Sequence, residues 1–173
     1  IMKGKGDSKL VPGKERFGSL DSITRGEFAT LLYNMENKPE ACYEGIFPDV
    51  AEGVWYSNPI QWIYTSEIAK GNGDGTFRPN APITREQMAQ MLYAYCKMKE
   101  YDLTMAEDVL EGFADSEEIS KWAVPAMKWA TTQGVMNGSK ETNPRLNPQG
   151  NATRAECAAM IRNMLIKMNG ISR

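Results

Sequence analysis

The chain repeats itself, and that repetition limits its fold more than any other property. FPDVAEGVWYSNPIQWIYTSEIAKGNGDGTFRPNAPITREQ, residues 47 to 87, returns as FADSEEISKWAVPAMKWATTQGVMNGSKETNPRLNPQGNATRAE, residues 113 to 156. Phe47 aligns with Phe113, Asp49 with Asp115, Trp55 with Trp122, Trp62 with Trp129, Gly71 with Gly138 and Arg85 with Arg154, at a period of 66 to 69 residues. Gly4, Gly6, Asp7, Leu10 and Pro12 fit the register of Gly71, Gly73, Asp74, Phe77 and Pro79, and Arg25 then matches Arg85 once seven extra residues around Gly13 to Ser19 are allowed. The pattern is two complete units preceded by the second half of another: 1–39, 40–103 and 104–173. The counterpart of residues 47 to 67 is missing before Ile1, which points to a fragment or a processed protein. A repeat of this length is one supersecondary unit that cannot bury its apolar face alone, so the units must stack into one compact domain.

Within a unit the elements follow from local chemistry. Asp49 with Glu52, and Asp115 with Glu118, read as capped turns. A short helix follows, with Pro59 or Pro125 in its first turn and Trp62, Ile63 or Trp129 on its apolar side. A glycine-rich loop leads to a long amphipathic helix opened by Thr24, Thr84 or Thr153, with Glu27, Gln87 or Glu156 three residues on, the pattern of a capping box. These helices are expected to end near Pro39, near Lys99 and at Gly170. Each carries an arginine in its first turn, Arg25, Arg85 or Arg154. That turn bears the positive end of the helix dipole, so a cation there costs roughly a few tenths of a kcal/mol. Three such arginines need an explanation.

Composition removes several function classes. The net charge of −2 and pI of about 5.4 lack the basic face that nucleic acid demands. No apolar run approaches the roughly 20 residues of a membrane span. The chain has no histidine, which excludes serine-histidine and cysteine-histidine hydrolase arrangements and histidine metal sites. Cys42, Cys96 and Cys157 are too few and too widely spaced for a disulfide framework, and Cys96 and Cys157 fall on helical patterns as small core residues. In GNGDGTF, an EF-hand register puts Lys70 and Ala81 where the key carboxylates belong, so no calcium site, other metal site or cofactor is expected.

These residues together resemble the S-layer homology family, whose repeat reads approximately F-x-D-V, a tryptophan, a glycine turn, D-G-x-F-x-P and I-T-R-A-E. Residues 47 to 87 match it almost throughout. The resemblance implies an all-α fold, a pseudo-threefold bundle of three long central helices with shorter peripheral helices and glycine-rich loops. It also implies an extracellular role at the bacterial cell surface: holding surface proteins and wall-bound enzymes on a secondary cell-wall polysaccharide, typically one bearing pyruvate ketals, which are carboxylates.

On that reading the arginines have a purpose. A helix N-terminus offers free N–H donors and a positive dipole end, and a guanidinium added there makes a bidentate carboxylate site. Arg25, Arg85 and Arg154 are therefore ligand candidates, with pairing to an acid such as Asp21, Glu86 or Glu156 as the alternative. Gly71 and Gly138 would let a sugar approach the backbone, or serve a turn that needs positive φ. Trp55 and Trp122 would stack on a sugar ring, or pack into the core; Trp62 and Trp129 read as core. Lys70 would add charge to a groove, and Asn137 replaces it in the last unit. Asp49 and Asp115 would contact hydroxyls, or cap turns. The last unit departs from the pattern at GSKETNPRLNP and at Ala152, and the first lacks its tryptophan segment, so the groove uniting the second and third units is the expected one.

Three functions follow. Non-covalent anchoring to an anionic, pyruvylated wall polysaccharide leads. The alternative is an interaction or self-assembly module, in which other surface-protein chains supply the missing half-repeat. An enzyme would need a carboxylate pair such as Asp74 and Glu86. Turn and cap chemistry explains both residues, so the chain is read as non-catalytic.

Overall fold

Each long helix begins where the capping chemistry requires. In the computed structural model, which describes residues 18–168, the Thr24 hydroxyl accepts from Glu27 N–H while the Glu27 carboxylate accepts from Thr24 N–H. Thr84 and Gln87 do the same. Thr153 and Glu156 exchange the same bonds, at 3.1 and 2.8 Å. Each box satisfies two otherwise orphaned donors, worth about 1 kcal/mol. The helices they open are α1 (Arg25–Met35), α3 (Arg85–Met98) and α5 (Arg154–Met168). Between them lie α2 (Ser57–Thr65), a 3-10 turn (Ser116–Glu118) and α4 (Val124–Thr132). Among the described residues the protein is all-α, with no strands.

Most of the sequence expectations for these elements hold. Pro59 and Pro125 occupy first turns of α2 and α4, where a missing N–H costs nothing. α1 stops at Met35, short of Pro39, because Asn37 and Lys38 take left-handed φ values of 58° and 56°. The matches at Gly4, Gly6, Asp7, Leu10 and Pro12, most of the Gly13–Ser19 insertion and the helix end at Gly170 lie outside the described residues.

Packing follows the repeat. α1 lies against α2 and α3 against α4. Tyr33 meets Trp62 with ring centroids 5.9 Å apart, and Tyr93 meets Trp129 at 5.6 Å. Trp62 and Trp129 are buried, along with Phe28, Leu32, Ile63, Met88, Leu92 and Met127. Burying a side chain of this size contributes about 1.5–3 kcal/mol, so the two helix pairs supply much of the cohesion. Cys96 and Cys157 are buried among them, and burial pushes both thiols up to about 12.

The segments entering the long helices are tied to one another. Ile23 N–H donates to Ala152 C=O at 3.0 Å, Ala152 N–H to Ile83 C=O at 2.9 Å, and Ile83 N–H to Ile23 C=O at 3.0 Å. These bonds close a ring in which every member gives one hydrogen bond and receives one. A second set lies around it: Arg25 N–H to Ala81, Arg85 N–H to Gly150, and Arg154 N–H to Asp21. The first-turn N–H groups, orphans in an isolated helix, are therefore spent on the neighbouring segment.

Candidate functional site

The three arginines of the helix starts are buried, at 4%, 8% and 4% exposure for Arg25, Arg85 and Arg154. A buried guanidinium has to be satisfied. Arg25 Nε donates to Phe77 C=O at 2.8 Å, and Arg85 Nε to Leu146 C=O at 2.7 Å. Asp49 and Asp115 hold those carbonyls in place. Asp49 accepts from Phe77 N–H at 3.0 Å and Arg78 N–H at 2.7 Å; Asp115 accepts from Leu146 N–H at 2.8 Å and Asn147 N–H at 2.6 Å. The expectation that these aspartates cap their own turns is corrected. Asp115 makes no side-chain cap bond to the 3-10 turn it precedes, because both of its oxygens are committed to the backbone of Leu146 and Asn147, far along the chain. A commitment of the same kind occupies both oxygens of Asp49.

The outer nitrogens of the guanidiniums differ. Arg85 Nη1 pairs with Glu156 Oε1 at 2.5 Å, and its Nη2 reaches Asn137 C=O at 3.3 Å. Arg154 Nη1 pairs with Glu27 Oε1 at 3.3 Å. Each arginine thus faces the capping-box glutamate of the following long helix, with α1 following α5. For Arg25 that position is Gln87. Arg25 makes no ion pair among the described residues, and its bonding is the Phe77 carbonyl and the Phe77 ring, whose centroid lies 4.8 Å from the guanidinium carbon. Burial first, then the positive charge of Arg78, lowers its pKa, with Asp49 acting in the opposite sense. Among the described residues, then, Arg25 is a buried cation with no carboxylate in direct contact.

Arg25 and Gln87 line a groove of about 610 Å³, with Lys70, Gly71, Gln90 and Trp122 also on its walls. The first, second and third units all contribute. Trp122 is 53% exposed, an unusual position for an indole unless its face has a use. Lys70 is exposed and pairs with Glu67 at 3.2 Å. A second groove of about 370 Å³ joins the second and third units through Arg85, Asn137, Gly138 and Glu156. This is the groove the sequence favoured. It is smaller, its arginine already holds a carboxylate, and no tryptophan lines it.

The structure thus brings Arg25, Lys70, Gly71 and Trp122 together, places Arg85 with Gly138, and sets Arg154 against Glu27 apart from both grooves. Trp55 is 59% exposed and lines neither groove; its ring stands edge-on to Tyr56 at 4.9 Å. Gly71 has φ 95°, and a methyl group there would sit 2.7 Å from Phe47 Cε1. Gly138 would likewise meet Phe113 Cε1, at 2.5 Å. In both units the glycine is required by the phenylalanine that opens it. The acid partners of Arg85 and Arg154 come from other units. Glu86 does not pair with its neighbour Arg85; its carboxylate is buried and accepts from Ser120 N–H at 3.0 Å and Ser120 O–H at 2.8 Å. Asp74 is engaged by Thr76 N–H and O–H and by Arg78, bonds that hold its carboxyl well below the usual range. Sequence reasoning passed over Gln87, although its signal was visible in the amide that replaces the glutamate of the other two boxes.

Comparison with known proteins identifies the repeat. The family model for the S-layer homology domain matches residues 46–89 and 112–158. The chain is 36% identical over 99% of its length to an amylopullulanase of Thermoanaerobacterium thermosulfurigenes, of which it spans 9%. It is 30% identical over 89% of its length to the surface-layer 125 kDa protein of Lysinibacillus sphaericus, spanning 13% of it. It is 29% identical over 84% of its length to a cellulosome-anchoring protein of Acetivibrio thermocellus, spanning 32% of it. Among the described residues no helix is long and apolar enough to cross a membrane. The match to the family model on both complete units, together with the Thr-Arg helix starts and the Phe-x-Asp clamps, shows that the chain belongs to the S-layer homology domain family.

Proposed function

We propose that this chain is an extracellular anchoring module that holds a larger protein on an anionic secondary cell-wall polysaccharide at the bacterial surface, and that it is not itself catalytic. The observation that carries this reading is the groove of about 610 Å³ in which Arg25 faces Lys70, Gln87 and Trp122. A polysaccharide carboxylate, such as a pyruvate ketal, would sit on the outer nitrogens of the buried Arg25, where a charge-assisted pair is stronger than in bulk water. The exposed face of Trp122 suits the apolar side of the adjoining sugar ring. Names of relatives point the same way: one is a surface-layer protein, another anchors cellulosomes, and the enzyme relative is covered over only a small fraction of its length. The three units, with boundaries near residues 39 and 103, are taken to form a pseudo-threefold array, a reading supported by the closed ring of Ile23, Ala152 and Ile83.

The test is calorimetric titration with purified secondary wall polysaccharide, native and stripped of its pyruvate ketals. Binding is expected for the native polymer, and is expected to fall at least tenfold on removal of the ketals, for Arg25→Ala and for Trp122→Ala. Equal affinity for both polymers would sink the carboxylate reading, and no affinity for either would sink anchoring.

A further inference from the structure

The three arginine sites share a plan and differ in one residue. In two of them a glutamate of the capping box serves two purposes: one oxygen accepts from the threonine N–H, and the other meets an arginine of a different unit. Glu156 does this for Thr153 and Arg85, and Glu27 does it for Thr24 and Arg154. Gln87 keeps the first function, accepting from Thr84 N–H at 3.2 Å. It cannot supply the second, because an amide carries no charge. The capping box is intact with either residue, so helix formation does not require the glutamine.

We infer that Gln87 is the specificity-determining residue of this domain: among the three helix-start arginines it leaves Arg25 open to an external carboxylate, while Glu156 and Glu27 occupy Arg85 and Arg154 as built-in substitutes for that ligand. The inference rests on the anchoring reading and refines it. The ligand carboxylate takes on Arg25 the place that Glu156 Oε1 takes on Arg85, and the chain holds one carboxylate-bearing residue of the polymer. The amide of Gln90, on the same wall, then receives sugar hydroxyls, to which amides both donate and accept.

The experiment uses the full chain and, as probes, a methyl hexoside bearing a 4,6-pyruvate ketal and its methyl ester, titrated by calorimetry into wild type, Gln87→Glu and Gln87→Met. The wild type is expected to bind one acid per chain and to discriminate against the ester. Gln87→Glu places a carboxylate where Glu27 and Glu156 already stand, so the cap persists; its affinity for the acid is expected to fall at least tenfold, with an unchanged thermal midpoint. Gln87→Met, neutral and of similar length, gives up the bond from Thr84 N–H without adding charge, and its affinity is expected to fall clearly less than that of Gln87→Glu. A Gln87→Glu variant that binds like wild type overturns this inference alone, as does equal loss in both variants, which would make Gln87 a direct contact or a structural residue. Two acids bound per chain would overturn it as well. A wild type that ignores the acid overturns the anchoring reading and this inference with it.

Discussion

Asp115 and Asp49 occupy the same position in successive units and clamp the same two backbone N–H groups, yet their removal should have unequal effects. The Asp115 side chain is wholly shielded from solvent, with Arg145 Nε 3.7 Å from one oxygen. Its truncation in Asp115→Ala strands the N–H of the buried Leu146 and frees that of the exposed Asn147. A hydrogen bond to a charged group contributes about 1.5–3 kcal/mol, and a buried donor left without a partner costs about 1–3 kcal/mol. Because water reaches Asn147, the total is about 3–4 kcal/mol. Asp49 is exposed, so in Asp49→Ala water replaces much of what the carboxylate did, and the loss is about 1–2 kcal/mol. Urea unfolding followed by tryptophan fluorescence resolves the two. With a denaturant slope of about 2 kcal/mol per molar, the midpoint drops by about 1.5–2 M for Asp115→Ala and by no more than about 1 M for Asp49→Ala. Equal midpoints for the two variants would falsify the claim that burial of the clamp sets its strength.

Two further outcomes follow from the same geometry. Gly71→Ala combines a φ of 95° with a new methyl group 2.7 Å from Phe47 Cε1 and 2.8 Å from Thr76 O; it should cost at least about 2 kcal/mol and lower the melting temperature by about 5 °C, and an unchanged melt would refute the packing argument. Among the cysteines, Cys42 is exposed, whereas Cys96 and Cys157 are buried with thiols raised to about 12. A thiol of raised pKa stays protonated and unreactive at pH 8, so a disulfide reagent should label Cys42 quickly and the other two only in urea; three fast thiols would contradict the burial.

How much of this was legible in the sequence depends on range. The capping boxes of Thr24 and Thr84, the prolines in α2 and α4 and the core positions of Trp62 and Trp129 rest on chemistry acting within a few residues, and the sequence displays that chemistry directly. The partners of Asp49 and of Arg85 lie many residues away in other segments. A period of 66 to 69 residues shows that units are equivalent without saying which unit's arginine meets which unit's glutamate. For the same reason the leading groove was sought between the second and third units, whereas Arg25 of the first unit, Gln87 of the second and Trp122 of the third assemble the larger one. The clue to it was a departure from the repeat, the amide at position 87.

The ring of Ile23, Ala152 and Ile83 has a kinetic consequence. Each segment leans on the other two, so no pair of units can complete its hydrogen bonding while the third is unfolded, and withdrawing any one segment breaks two bonds of the three. Ile23 and Ala152 stand near opposite ends of the described chain, and joining them requires one of the longest loop closures among the described residues. A growing chain can pair α1 with α2, and then α3 with α4, as each emerges. Only when Ala152 arrives does the domain lock as one cooperative unit.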